Sequence, residues 1–175
     1  MRTIALTGTP GTGKTTVSEL VAERLDAEVL HLNDAIREAD LFAERDVERD
    51  SLIADLDAVQ SWVDAEVSAD RTTVVESHLA HLLDVDGAVV LRCHPKELKP
   101  RLRERGESED SVAENAESEA LDVILAEAVE RHGEESVWEI DTTDRSPEAV
   151  ADDVAAAIDG EIEPRVGVVD FIDYL

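Results

Sequence analysis

The stretch "IALTGTPGTGKTTVSEL", residues 4–20, places one lysine directly after a run of glycine, threonine and proline. The apolar residues before Gly8 predict a buried strand of a parallel sheet over residues 3–7. Beyond the run, apolar residues recur at helical spacing from Val17, so the run joins a strand to a helix. The 175-residue chain has only three lysines against 43 acidic residues, so the position of Lys14 needs a chemical reason.

The pattern from Gly8 to Thr15, G-x-x-x-x-G-K-T, is a complete P-loop, and it stands in the strand-to-helix context that this motif requires. Its glycines let backbone N–H groups turn toward phosphate oxygens, and the following helix N-terminus adds partial positive charge. Lys14 would reach the β- and γ-phosphates, and the Thr15 hydroxyl can bind Mg²⁺. The loop residues predicted to bind the nucleotide are Gly11, Thr12, Gly13, Lys14, Thr15 and Thr16.

The formal net charge of the chain is −27, and aromatic residues make up only 3% of it. With so few lysines, this composition resembles that of proteins from salt-loving archaea, whose acidic surfaces are screened by concentrated cytosolic salt. An acidic face that meets a basic partner is the alternative interpretation. The apolar fraction of 43% is enough for a packed core in a single domain.

The cellular location follows from cysteine usage and hydropathy. The single cysteine, Cys93, excludes an internal disulfide and is typical of a reducing compartment. The apolar runs are too short to span a bilayer, and we expect no signal peptide or membrane anchor. We therefore expect a cytoplasmic protein that has no contact with membranes.

Four further apolar runs predict strands, over residues 28–32, 72–75, 87–93 and 136–143. Segments of helical periodicity alternate with them. We predict one helix from Ser51 to Val67, one that Gly106 ends, and one capped by Ser146 with Pro147 in its first turn. This alternation predicts an α/β, three-layer P-loop NTPase fold, with a doubly wound, parallel, five-stranded sheet and helices on both faces. No role follows from the sequence for residues 160–175.

The remaining motifs narrow the class of P-loop protein. The chain has no Asn-Lys-x-Asp motif, which GTPases need to read their base, and it is far shorter than ABC-type and AAA-type ATPases. A short chain with an N-terminal P-loop predicts a small-molecule kinase. A kinase for another small acceptor, such as shikimate or gluconate, is an alternative, although no acceptor-specific motif supports it.

The loop "LTGTPGTGKTT" resembles that of the adenylate kinase isoenzyme 6 family. The similarity continues in family order through "NDAIRE" (33–38), "ADLD" (54–57), "VVESH" (74–78), "VVLR" (89–92), "RLRERG" (101–106) and "DTTDRSPEAV" (141–150). The resemblance implies a single nucleoside monophosphate kinase domain over residues 1–175, with an acceptor-binding insertion at about 33–67 and a short lid at about 104–114. It also implies reversible phosphoryl transfer from ATP–Mg²⁺ to AMP, with ATPase activity. The lid lacks the aromatic residue and the lysine that are common in the family after the glycine.

The same resemblance assigns roles to side chains outside the loop. Its implied catalytic residues are Lys14, Arg105, Glu76 and His78, with Arg105 also binding ATP. Its implied acceptor-binding residues are Asn33, Asp34, Arg37, Asp55 and Asp57. Thr15 and Glu76 would hold Mg²⁺, the latter through water, since Glu76 ends a strand at the edge where ligands of open sheets bind. A planar guanidinium such as that of Arg37 can hold a phosphate bidentately.

Each of these roles has a structural alternative. Arg37 could pair with a neighbouring carboxylate, the two aspartates could be ordinary solvated groups, and Glu76 with His78 could be a polar pair at a strand end. Arg92 and Arg101 could contact phosphate or form salt bridges. We predict that His81 and His94 are surface or loop histidines without a metal-binding role.

The resemblance carries a second function. Family members also act as ATPase assembly factors in late small-subunit ribosome maturation, near the 3′ end of the 16S rRNA and with a platform ribosomal protein. The charge of −27 disfavours direct RNA binding and suits a basic ribosomal protein instead. Ribosome biogenesis and rRNA processing are therefore the alternative role, and ADP formation with and without AMP distinguishes the two. The sequence does not specify the base of the acceptor.

Overall fold

The computed structural model describes residues 2–48 and 51–175. The strands in chain order are β1 (Thr3–Gly8), β2 (Glu28–His31), β3 (Phe42–Asp46), β4 (Ser51–Ala54), β5 (Thr73–Glu76), β6 (Gly87–Arg92) and β7 (Val137–Asp141). The helices are α1 (Lys14–Leu25), α2 (Leu32–Glu38), α3 (Leu56–Glu66), α4 (Pro95–Glu104), α5 (Glu109–Ala120), α6 (Val123–His132) and α7 (Pro147–Ile158). Short 3-10 helices cover Ala80–Leu82, Glu134–Ser136 and Ile172–Tyr174.

Five strands form one parallel sheet in the order β2-β5-β1-β6-β7. Successive residues of a strand point to opposite faces, so Ile4 and Leu6 pack under α1 and α7, whereas Ala5 packs on the side of α2, α3 and α6. The result is helix, sheet and helix in three layers, as predicted. The carboxyl ends of β1, β5 and β6 meet at one edge of the sheet, where an open α/β sheet binds its ligands.

The prediction of a helix from Ser51 is wrong at its start. Residues 51–54 form β4, which pairs antiparallel with β3, and α3 begins only at Leu56. The side chain of Asp55 caps that helix, because its carboxylate accepts a hydrogen bond from Ala58 N at 3.2 Å. In the sequence, the spacing between Leu52 and the buried residues of α3 is that of a helix, but such a spacing does not by itself exclude a strand. The expected insertion at 33–67 therefore contains most of α2, a two-stranded hairpin and α3.

The helices around the expected lid begin and end at identifiable signals. Ser108 caps α5, because its hydroxyl accepts a hydrogen bond from Ser111 N at 3.2 Å. Gly106 has a φ of 83°, and the chain leaves α4 there as predicted. The range 104–114 therefore consists of the end of α4, a loop of residues 105–108 and the first turns of α5. Ser146 and Pro147 begin α7 as the sequence predicts.

The tail, residues 160–175, covers the free edge of β7. Glu139 N donates to Arg165 O at 2.8 Å, and Arg165 N donates to Val137 O at 3.0 Å. Farther along, Phe171 lies over the guanidinium of Arg92, with the ring centroid 5.4 Å from Cζ. The tail thereby pairs with backbone groups of β7 that would otherwise form an unpaired sheet edge. In the part of the chain that the structure describes, no helix is both long enough and apolar enough to cross a bilayer.

Candidate functional site

The P-loop has the geometry of a phosphate-binding turn. Gly8 has a φ of 145°, and a Cβ atom there would lie 2.6 Å from Leu91 O, so only glycine fits against β6. Gly11 has a φ of 92° and packs closely on the leucines of α4. Gly13 precedes α1 with a φ of 95°, and no side chain caps this helix. The first N–H groups of α1 are therefore available to an anion.

Lys14 is buried at the start of α1. Its Nζ donates to Gly8 O at 2.8 Å and to Thr9 O at 3.1 Å. Burial lowers its pKa to about 8, against an opposing effect of Glu76, while Arg105 lowers the pKa further. The ammonium group is thus held inside the loop by two neutral carbonyls, which a phosphate can replace.

A cavity of about 680 Å³ adjoins the loop and brings together most of the predicted site residues. From the predicted set it is lined by Gly11, Gly13, Lys14, Thr15, Thr16, Asn33, Arg37, Glu76, His78 and Arg105. Four predicted residues do not line it. Thr12 is buried in the loop, where its hydroxyl donates to Thr9 O at 2.9 Å. Asp34 is exposed on α2, and Asp55 and Asp57 are exposed at the start of α3.

The cavity also contains charged residues that the sequence analysis did not single out for it. Glu104 and Glu107 line it beside Arg101 and Arg105, so its wall near the lid carries both signs of charge. Arg101 forms the predicted salt bridge, with Glu97 at 3.1 Å, and it also donates to Gly11 O at 3.4 Å, while its contact with phosphate stays a prediction. Arg37 forms no ion pair with any other residue that the structure describes, so its guanidinium is available to a ligand.

His78 faces the cavity as a neutral group. Burial lowers its pKa to about 4, and the positive charge of Lys14 adds to this effect, followed by His81 and Arg105. At neutral pH the ring therefore has one donor and one acceptor nitrogen. It can orient a phosphate or a water molecule but adds no charge.

Glu76 is fixed by a partner that the sequence analysis missed. Its Oε2 accepts a hydrogen bond from His31 Nδ1 at 2.8 Å, and the two residues are paired in register at the ends of β5 and β2. The position of both residues at the end of a strand was the available signal. Ser77 Oγ similarly donates to Asn33 Oδ1 at 2.9 Å, which fixes the orientation of that side chain.

The oxygen atoms at this edge fit Mg²⁺. Thr15 and Glu76 offer a hydroxyl and a carboxylate, which are the ligand types that Mg²⁺ prefers. Among the described residues, no group of three or more His, Cys, Asp or Glu side chains could hold a metal ion. A donor set this small suits an ion that keeps several waters and is shared with substrate phosphates.

Two predictions about individual residues outside the cavity are corrected. His81 is not a surface histidine, because its side chain is 1% exposed and is hydrogen-bonded at both ring nitrogens. Arg92 is buried and is surrounded by Glu119, Glu139 and Asp122, with Nη1 donating to Glu139 Oε1 at 2.7 Å. This arginine joins β6, β7 and the end of α5, so of its two predicted roles the salt bridge is correct. His94 is a loop histidine that caps α4.

Comparisons with known proteins agree with this arrangement. A sequence model of the AAA domain family matches residues 4–122. The length argument against full-length AAA-type ATPases therefore does not separate this chain from the AAA domain family. A crystal structure of an uncharacterized protein from Eubacterium ventriosum has the same fold, with a TM-score of 0.58 at 12% identity over 90% of this chain and 98% of that chain.

Relatives with the name "Putative adenylate kinase" match the chain over nearly its whole length. The protein from Natronomonas pharaonis is 58% identical over 98% of this chain and 99% of its own. The protein from Halobacterium salinarum is 50% identical over the same shares of the two chains. That from Pyrococcus abyssi is 42% identical over 96% of this chain and 90% of its own. The chain therefore belongs to the P-loop family of these archaeal "Putative adenylate kinase" proteins.

Proposed function

We propose that this protein is a nucleoside monophosphate kinase that transfers the terminal phosphate of ATP to AMP, reversibly. The main support is that cations from three elements line one cavity: Lys14 from α1, Arg37 from α2 and Arg105 from the end of α4. A triphosphate on the P-loop and a second phosphate at Arg37 would both lie within this ring of charge. The volume is in the range of small-molecule sites.

Phosphoryl transfer requires little covalent chemistry from the protein, so positioning and charge supply most of the catalysis. An oxygen of the AMP phosphate attacks the γ-phosphorus of ATP, and the bond between that phosphorus and the β–γ bridging oxygen breaks. Lys14 and Arg105 stabilise the charge on the transferred group, while Arg37 holds the acceptor phosphate. His78, being neutral, donates one hydrogen bond.

Thr15 and Glu76 are the residues that would hold Mg²⁺ with the nucleotide. When bound, Mg²⁺ neutralises phosphate charge and aligns the β- and γ-phosphates. His31 occupies one oxygen of the Glu76 carboxylate, so the other oxygen would be the one to hold Mg²⁺ through water. With phosphate oxygens and water as its other ligands, Mg²⁺ would need no protein group besides Thr15 and Glu76.

The same site can hydrolyse ATP if water takes the place of the acceptor phosphate. A role of such an ATPase in maturation of the small ribosomal subunit, with a basic ribosomal protein as its partner, is the alternative function. The net charge of −27 favours a basic protein over RNA as that partner. In that case AMP would have little effect on turnover.

ADP formation from ATP–Mg²⁺, measured in concentrated salt with and without AMP, tests the proposal. We expect most ADP to depend on AMP, and Lys14→Ala to abolish its formation while circular dichroism shows a folded protein. Lys96→Ala is the matched control, because this lysine is exposed and lies outside the cavity. ADP and phosphate release that are unchanged by AMP would refute the kinase and favour the ATPase.

A further inference from the structure

A chain of hydrogen bonds lies directly behind the P-loop, and the proposed reaction does not use it. Thr7 Oγ1 and His81 Nδ1 are 2.9 Å apart, and His81 Nε2 is 2.8 Å from Glu127 Oε2. Thr7 is entirely buried, whereas the Glu127 side chain is 46% exposed on α6. This series of hydrogen bonds connects the surface of α6 to the residue that precedes Gly8.

The order hydroxyl, imidazole, carboxylate is also that of a nucleophilic triad. Here no substrate can reach the hydroxyl, because both Thr7 and His81 are buried. These hydrogen bonds must therefore act through the residues next to Thr7. Thr7 is followed by Gly8, whose carbonyl accepts the hydrogen bond from Lys14 Nζ. A shift of Thr7 would move the group that holds the catalytic lysine.

We propose that His81 is a positioning residue for the phosphate-binding loop, which it fastens to α6 through Thr7 and Glu127. This inference depends on the proposed function only in that the P-loop binds the phosphates of ATP. Helix α6 lies beyond residues 4–122, so the AAA domain match does not include it. The P-loop motif itself also has no position for a residue of this kind.

The hydrogen-bond directions follow from the partners. The Glu127 carboxylate can only accept, so it fixes the proton on Nε2, and Nδ1 then accepts from the Thr7 hydroxyl. Burial lowers the pKa of His81, against the opposing effect of Glu127, and His132 and Arg131 of α6 lower it further. A neutral ring keeps the Thr7 hydroxyl as a donor.

Two amide substitutions of His81 test its hydrogen bonds to Thr7 and to Glu127 separately. In His81→Asn, the amide lies near the position of Nδ1 and keeps a partner for Thr7, while the exposed Glu127 carboxylate is left to water. In His81→Gln, the amide reaches Glu127 and leaves the buried Thr7 hydroxyl without a partner, which is the more costly loss. We expect His81→Gln to weaken ATP binding about fivefold to tenfold and His81→Asn to weaken it less than about twofold.

The measurement is titration calorimetry with ATP–Mg²⁺ in the absence of AMP, well below the melting temperature of each variant. Thr7→Val should reproduce the loss of His81→Gln, Thr7→Ser should bind as the wild type does, and the double variant Thr7→Val/His81→Gln should be no weaker than either single variant. The comparison of Thr7→Val with Thr7→Ser tests the role of this hydrogen bond even if His81→Gln does not fold. Equal dissociation constants for His81→Asn and His81→Gln, or wild-type binding by Thr7→Val, would overturn the inference.

The design also separates this inference from the kinase proposal. If AMP proves not to be the acceptor but the pattern of ATP affinities holds, the role of His81 stands and the kinase does not. If AMP-dependent ADP formation is confirmed but the variants bind ATP equally, the kinase stands and the role of His81 does not. A wild-type protein that binds no ATP would overturn both.

Discussion

Lys14 is charged in a buried position, where burial lowers its pKa to about 8 and Glu76 partly opposes this effect. A bound triphosphate brings negative charge next to the amine, which raises the pKa again. At pH 8, near its own pKa, about half of the lysine is neutral before binding, so ATP binding should take up about half a proton. Above this pH, ATP affinity should fall, because the lysine must first be protonated.

Binding enthalpies measured in buffers of different ionisation heat give this proton uptake directly. The γ-phosphate is already ionised at pH 8, since its last pKa is about 6, so the signal comes from the protein. Lys14→Arg is the matched control, because arginine keeps its charge at every accessible pH. We expect the uptake to vanish in this variant. Identical enthalpies in all buffers for the wild type would contradict a lowered pKa of Lys14.

At the level of single residues, the sequence predicted side chains whose chemistry is local to a motif. Lys14 and Thr15 are determined by the P-loop pattern, and Arg37 and Arg105 follow from family motifs that lie far apart in the chain. The environment of His81 could not be predicted, because its partner Glu127 lies 46 residues later in the chain, on a helix that packs on one face of the sheet. Glu104 and Glu107 were missed because carboxylates are so common in this chain that no pattern distinguishes them.

At the level of elements, the proposed acceptor and donor sides of the cavity come from different parts of the chain. Arg37 lies on α2, within the insertion between β2 and β5, whereas Arg105 caps the end of α4 beside the expected lid. A bidentate, charge-assisted contact to phosphate contributes about 1.5–3 kcal/mol, so its loss costs about 10- to 100-fold in affinity. Arg37→Ala should weaken AMP binding by this factor and spare ATP binding. Arg105→Ala should impair both AMP-dependent transfer and ATP hydrolysis.

Phosphate release without AMP and AMP affinity are measured for each variant. Arg103→Ala is the control on α4, because Arg103 pairs with Glu109 at the surface and does not line the cavity. It should leave both activities unchanged. If Arg37→Ala and Arg105→Ala lose ATP hydrolysis equally, residues 33–67 are not an acceptor-binding unit, and the kinase proposal loses its main support outside the P-loop.

The elements that the sequence predicted best are those with two independent signals. Strand β1 is an apolar run that ends at a glycine motif, and α7 has both a capping serine and a proline in its first turn. The hairpin β3–β4 lacks such signals, since β3 is the sequence "FAERD" and is mostly exposed. The pairing of the tail with β7 rests on backbone hydrogen bonds of Arg165 and on the buried Glu139 carboxylate, which accepts from Val168 N at 2.6 Å. Contacts of this kind leave no periodic pattern in the sequence.

The charge distribution of the whole molecule is uneven. The net charge is −27, yet Lys14, Arg37, Arg101 and Arg105 gather around one cavity. The buried Arg92 cluster and exposed pairs such as that of Arg24 with Asp152 use further cations. Most carboxylates outside these contacts lie on the surface, where they repel one another over the Debye length of the solution. Exposed ion pairs stabilise too little to offset this repulsion at low salt.

Stability should therefore fall as salt is removed. The Debye length increases from about 3 Å at 1 M salt to about 30 Å at 0.01 M, so at low salt each carboxylate repels many others across the surface. The Arg92 cluster is buried and screened little, so it should hold the sheet and α5 together at both extremes. We expect the melting temperature to fall steadily in a KCl series from about 1 M to about 0.01 M, which spans this range of Debye lengths. Sucrose added at low salt is the control, because it favours compact states without screening charge. If screening is the cause, sucrose should restore less of the lost stability than KCl does.

A melting temperature that is constant or higher at low salt would show that the acidic surface is not an adaptation to salt. A surface that meets a basic partner would then be the better interpretation of the charge.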